Sequence, residues 1–346
     1  MIHWKAAAYR FGMAGVVLAT ASLISEPASA QWQPERPIEF IIQTSPGGGS
    51  DVYARMWIGI IEKHKLSPVP ITPVNMPGGA GAVALNHLLN QKGDPHYISP
   101  TLNSVVTTPL QQQIPVMYPS SDLTPLALMT IDPFLLWVNP SKYKSWDDFH
   151  KACKENRLSA TGTGARQEDE IQINLIQHAA GCQPFRYVPA KGGGDVASAV
   201  AGGHQDFNVN QPAEALPHYP ERLIPIVAFA KERLPAFKDV PTHWELKIGE
   251  GTDYAELLDL ESGLHQMRGI IGPPGMTDEQ IQWYEDLWRK VHATEDWQEF
   301  MKKTAQTPIF KGSKEYKEWL IKFEDNHVRM MQDVFKWDLR SDLKRR

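Results

Sequence analysis

Cysteine is scarce in this chain, with only Cys153 and Cys182 among 346 residues. Neither forms a Cys-x-x-Cys, so a zinc or cluster site has little support and no metal is expected. Long apolar runs are also missing. After the first thirty residues nothing approaches the roughly 20 apolar residues of a membrane span. Charge of one sign is not in excess: 35 Lys and Arg stand against 40 Asp and Glu, which gives no basic footprint for nucleic acid. The motifs of hydrolases are absent too, since no Gly-x-Ser-x-Gly and no His-Glu-x-x-His occurs, and the twelve histidines are scattered. Catalysis therefore has little to stand on; no enzyme activity and no cofactor are expected.

What is present begins at the N-terminus. Lys5 and Arg10 precede an apolar run from Phe11 to Ile24, and Ala28-Ser29-Ala30 is a small-x-small signal. This predicts a secretory signal peptide over 1–30, cleaved after Ala30, and a soluble periplasmic protein from Gln31 onward. Any membrane partner is then a separate chain. Loss of Lys5, Arg10 and Glu26 moves the formal net charge from -5 to -6. The remaining length exceeds what one core usually supports, so two domains are expected. Eleven Trp and 42% hydrophobic residues supply apolar surface for sizeable cores. In an oxidising compartment the two thiols are predicted to close one disulfide, Cys153–Cys182.

The apolar run Ile38–Ile42 ends at Pro46 and three glycines, after which Val52, Met56, Trp57, Ile60 and Ile61 fall on one helical face. That is a strand, a tight turn and a helix, with Ser50 or Asp51 as the cap. The unit recurs where residues 69–74 lead into Asn75-Met76-Pro77-Gly78-Gly79-Ala80-Gly81, and again where Leu158 to Gly164 precedes Ile171, Leu175 and Ile176. Strands alternating with helices through short loops predict an α/β fold with a mostly parallel sheet in each domain. Ligands on such sheets bind at the carboxyl ends of strands, where these turns lie. The segments 278–292, 297–304 and 314–336 read as helices.

A glycine-rich turn at a helix N-terminus leaves N–H groups unpaired at the positive end of the helix dipole, which suits an anion. Glycine equally serves plain chain reversal, and for one turn alone both readings stand. Residues 47–51 lack the Lys-Ser/Thr of a P-loop. Residues 79–84 match G-x-G-x-x-A, but residues 97–106 hold no carboxylate for a ribose. The adjacent carboxylates Asp147-Asp148 and Glu168-Asp169-Glu170 read as helix-start charge facing solvent.

With these features in place, the sequence resembles the substrate-binding family of tripartite tricarboxylate transporters, also called Bug proteins. The resemblance rests on Pro46 to Asp51, Asn75 to Gly81, Val188-Pro189-Ala190-Lys191-Gly192-Gly193, Ala201 to Asp206, Val240-Pro241-Thr242 and Pro273-Pro274-Gly275-Met276-Thr277. It implies a two-domain periplasmic receptor of the Venus-flytrap kind, type II, with a carboxylate held between the domains. Domain 1 is expected at 34–132 plus 236–346 and domain 2 at 133–235. The resemblance places Thr44, Ser45, Gly47, Gly48, Gly49 and Asp51, with Gly78, Gly79, Ala80 and Gly81, on one wall. Thr161, Gly162, Thr163 and Gly164 fall on the other. Where the family continues with small hydroxyl residues and a His, this chain has Ala165-Arg166-Gln167-Glu168.

Arg166 is thus a candidate to hold a distal carboxylate bidentately; the competing reading is a surface Arg pairing with Glu168 or Glu170. Lys191 is a further candidate. Tyr53 and Trp57 could border an aromatic ligand or pack in the core. The expected partners are a small organic carboxylate, such as a di- or tricarboxylate or an aromatic acid, and separate permease subunits, the receptor itself being a monomer. Two rivals remain: a sensory receptor docking on a signalling protein, and an exported α/β enzyme.

Overall fold

The computed structural model describes Met1 and residues 32–46, 49–190, 192–306 and 308–344. The signal segment with its cleavage site, and the candidate ligands Gly47, Gly48 and Lys191, lie outside the described residues. Trp32–Arg346 forms one compact unit, and no described helix is long and apolar enough to cross a membrane.

The chain runs through β1 (Ile38–Ile42), α1 (Gly49–Lys63), β2 (Ile71–Asn75), α2 (Ala82–Leu89), β3 (Tyr97–Thr101), α3 (Ser104–Gln111), α4 (Pro119–Asp122) and β4 (Thr124–Asp132). Two residues later it enters β5 (Leu135–Val138), then α5 (Trp146–Glu155), β6 (Ser159–Thr163), α6 (Glu168–Ala180), β7 (Arg186–Ala190), α7 (Gly193–Ala201), β8 (Phe207–Asn210), α8 (Pro212–Ala215) and β9 (Ile224–Ala228). The return comprises α9 (Asp253–Leu257), β10 (Gln266–Gly272), α10 (Asp278–His292), α11 (Glu295–Lys303), β11 (Pro308–Gly312) and α12 (Ser313–Val328).

Two sheets result, in the orders β11-β4-β10-β3-β1-β2 and β7-β6-β8-β5-β9. The α/β class holds, but the sheets are mixed. β1 pairs parallel with β2 and β3, whereas β10 is antiparallel to both β3 and β4, and β11 is antiparallel to β4. In the second sheet β6 is parallel to β7 and β8, while β5 is antiparallel to β8 and β9. The reversal has a topological cause. β5 continues almost directly from β4, so it starts where β4 ends and runs away from that edge. The carboxyl ends of β1–β4 and of β6–β9 therefore face the two chain crossings, the place where α/β sheets bind ligands.

Phe40, Trp57, Tyr284, Trp288 and Trp297 fill the core between the first sheet, α1, α10 and α11. Trp57 is fully buried there, which makes it a packing residue and no border for a ligand. A second core joins Trp137, Phe149, Phe185 and Phe207 of the other sheet to Leu128, Leu320 and Phe323. The predicted disulfide Cys153–Cys182 is present. The segment after β9 stays near the second sheet, since the N–H of Ala228 donates to the carbonyl of Pro241.

Candidate functional site

Strand β1 ends at Gln43 and Thr44, and α1 begins at Gly49. Ser50 and Asp51 lie inside its first turn rather than capping it. Asp51 is buried, accepts the Arg55 guanidinium at 2.9 Å and also accepts from Asn75 Nδ2 at 2.9 Å. Asn75 in turn donates to the Thr44 carbonyl. Asp51 thus clamps the first glycine turn to the second. The turn Gly78 to Gly81 has positive φ at every residue, 139°, 57°, 54° and 97°, with Ala80 the one non-glycine among them. Gly78 has the extended, positive-φ backbone that a side chain disfavours, and a Cβ there would meet Val83 at 2.9 Å. Thr108 Oγ1 and Gln112 Nε2 bind the carbonyls of Ala80 and Gly79, which holds this turn against α3.

Among the described residues three polar groups on this wall are buried without a partner: Gln43 Nε2, Thr44 Oγ1 and Ser50 Oγ. An unsatisfied buried donor costs about 1–3 kcal/mol, so such a cluster is suited to polar groups of a ligand. Beside them stands Arg268, a residue the sequence reading missed. Its guanidinium nitrogens lie 3.6 and 3.8 Å from where a Cβ on Gly49 would be. The Nε donates to Asp132 Oδ2 at 2.8 Å, and the guanidinium rests 4.8 Å above the Tyr53 ring. Among the described residues its two terminal nitrogens have no hydrogen-bond partner. Asp132 also accepts from the Tyr53 hydroxyl and from Gln306. Burial pushes the Asp132 carboxyl up while Arg268 draws it down, and the tyrosine hydroxyl is raised by burial first and by Asp132 next. Arg268 was detectable as the lone charge in the otherwise uncharged strand Gln266–Gly272.

On the second sheet, Thr161, Gly162 and Thr163 close β6. The N–H of Thr163 donates to Asp169 Oδ2 at 2.7 Å, and Tyr187 donates to the Gly164 carbonyl at 2.7 Å. Thr161 Oγ1 is committed to the Val188 carbonyl. The chain's own Asp169 therefore occupies the anion cradle of this turn. The expectation that Glu168 and Asp169 face solvent fails: Asp169 is buried, and Glu168 Oε1 is buried with no partner among the described residues. Burial raises both carboxyl groups, Asp169 well above its usual range. Glu214 of α8 packs against the start of α7, with its carboxyl carbon 2.0 Å from where a Cβ on Gly193 would stand. Burial pushes its pKa up to about 7 against the pull of Arg268, and Asp132 raises it further.

Arg166 is exposed, with φ 55°. Its guanidinium lies 5.5 Å over Trp337 of the C-terminal segment, and its main-chain N–H donates to Glu170. That bond to Glu170 comes from the main chain and not from the guanidinium, which lies exposed over Trp337 rather than in the cluster around Arg268. Among the described residues no group of three or more His, Cys, Asp or Glu could hold a metal.

The family model for the tripartite tricarboxylate transporter family receptor matches residues 61–334. Protein BugT of Bordetella pertussis is 28% identical over 250 residues, covering 68% of this chain and 73% of that protein. Among solved structures, a TctC solute binding protein from Polaromonas superposes with a TM-score of 0.72 at 20% identity, covering 87% of this chain and 99% of its own. R. palustris Rpa4515 with adipate superposes with a TM-score of 0.72 at 16% identity, covering 86% and 97%. With the family model matching residues 61–334, this chain belongs to the tripartite tricarboxylate transporter receptor family, whose members are solute-binding receptors and not enzymes.

Proposed function

We propose that this receptor captures a small organic carboxylate between its two sheets and delivers it to separate integral-membrane permease subunits. The observation that supports this most is Arg268, two of whose guanidinium nitrogens are unengaged among the described residues beside the N-terminus of α1. A planar fork binds a carboxylate bidentately, and the helix dipole adds to it. Thr44, Ser45, Gly49 and Ser50 supply further donors, and Gly78 to Gly81 shapes the adjoining wall. Asp51 acts as the clamp between turns rather than as a ligand. Rpa4515 with adipate is a neighbour of the same fold holding a dicarboxylate, in keeping with this chemistry. The carboxylate-holding role considered for Arg166 passes to Arg268, because the Arg166 guanidinium is exposed and lies over Trp337. Signal cleavage after Ala30, a monomeric receptor and a hinge at the two chain crossings belong to the same reading.

Calorimetric titration of the exported protein with succinate, adipate, citrate and benzoate tests it. A bound carboxylate raises the melting temperature by mass action. Arg268→Met is expected to weaken it by about 10- to 100-fold, the worth of a charge-assisted hydrogen bond. Folded protein with no affinity for any carboxylate would overturn the reading.

A further inference from the structure

The wall opposite Arg268 is negative. Glu168 and Glu214, both raised by burial and both drawn down by Arg268, approach the site from α6 and α8. Asp169, the third, has its charge met by the Thr163 N–H. Among the described residues Glu168 Oε1 is buried with no partner. Glu214 makes no side-chain hydrogen bond or ion pair among the described residues, and the residue is half-buried. It is wedged against α7 where Gly193 has no side chain, and any Cβ there would overlap its carboxyl group. On the facing wall Arg268 is already shared with Asp132 at 2.8 Å.

Among the described residues one guanidinium thus serves Asp132, Glu168 and Glu214, and these carboxylates outnumber it. Buried charge without a partner is costly. A doubly or triply negative ligand would set its distal carboxylate against Glu214 and Glu168. A ligand with a carboxylate at one end and a protonated nitrogen at the other satisfies both walls at once.

Resting on the carboxylate reading above, we propose that the ligand is amphoteric: its carboxylate meets Arg268 and the N-terminus of α1, and its protonated amine or guanidinium meets Glu214 and Glu168. Glu214 is then the specificity-determining residue that separates amino carboxylates from dicarboxylates of equal length.

The test is calorimetric titration with matched pairs, succinate against 4-aminobutanoate and adipate against 6-aminohexanoate, near pH 7.4. The amino member is expected to bind at least 10-fold tighter. Glu214→Gln is expected to weaken the amino member at least 10-fold while leaving the diacid equal or stronger. Should Glu214→Gln not fold, titration of the unaltered protein in two buffers of different ionisation enthalpy reads the same interaction: an amine that pairs with Glu214 releases a proton on binding. Tighter diacids, with no proton release by amines, would overturn the amphoteric assignment while the carboxylate receptor stands. Failure of every diacid and every amino acid to bind folded protein would overturn both.

Discussion

The main-chain N–H of Phe134 donates to Nδ1 of His265 at 3.0 Å, and this bond ties the two chain crossings together. Phe134 lies between β4 and β5, and His265 immediately precedes β10. The opposite nitrogen reaches the Leu258 carbonyl at 2.7 Å, and the His265 carbonyl accepts from Asn103. With Nδ1 accepting, the imidazole is neutral, and burial lowers its pKa to about 4. His327 is lowered to about 4 by burial as well. Each folded pKa lies below the ordinary 6.5, so the folded state binds fewer protons than the unfolded one between those values. Stability is lost as pH falls through that window, by up to about 1.4 kcal/mol per pH unit for each histidine. Urea unfolding at pH 6.5 and 4.5 checks this: His327→Phe should show a shallower loss than the unaltered protein, and an identical slope would refute the assignment.

Glu214 works in the opposite direction. Its folded pKa of about 7 exceeds the ordinary 4.5, so the folded state holds the extra proton and stability falls as pH rises from about 4.5 to 7. The unaltered protein sums both tendencies, and only variants separate them. Glu214→Gln is expected to be more stable than the unaltered protein at pH 7.5, with the difference vanishing near pH 4.5. A pH-independent difference would refute the elevated pKa.

Two glycines facing carboxylates should respond unequally to alanine. At Gly162 a Cβ would lie 2.4 Å from the Cβ of Asp169 and 2.7 Å from the Tyr187 hydroxyl. The Asp169 Cβ is fixed to its helix, so Gly162→Ala should cost about 1–3 kcal/mol through overpacking. At Gly193 the obstacle is the end of a flexible Glu214 side chain. Gly193→Ala should fold with a stability change below about 1 kcal/mol, yet it should displace Glu214 and weaken 6-aminohexanoate as Glu214→Gln does. Denaturant melts and titrations of both variants decide this; equal destabilisation would contradict it.

The disulfide joins α5 to the residue after the C-cap of α6, and Cys153 is fully buried. Closing a loop of about 30 residues is worth roughly 3–4 kcal/mol in the chain-entropy model. Reduction should therefore lower the melting temperature by several degrees, measured with and without a phosphine reductant. No shift upon complete reduction would show that the bridge contributes nothing to folding stability.

The strand-turn-helix units around Gly49, Gly81 and Gly164 were legible because glycine and proline punctuate an apolar rhythm locally. Strand direction was not, because a parallel or an antiparallel neighbour depends on where the chain re-enters a sheet, and β10 re-enters between β3 and β4. Arg166 carried the stronger local signal, an Arg at a helix start, while Arg268 looked like an odd charge in an apolar strand. Only packing told them apart: one lies over Trp337, the other beside Gly49.

By itself the sequence determined the export signal as an expectation, the α/β class, the disulfide and the glycine turns, since each depends on residues adjacent in the chain or on composition. The tertiary structure decided which charges meet. Arg268, Asp132 and Glu214 come from three distant segments, and an electrostatic site is set by separations of a few ångströms in space, which no spacing along the chain encodes.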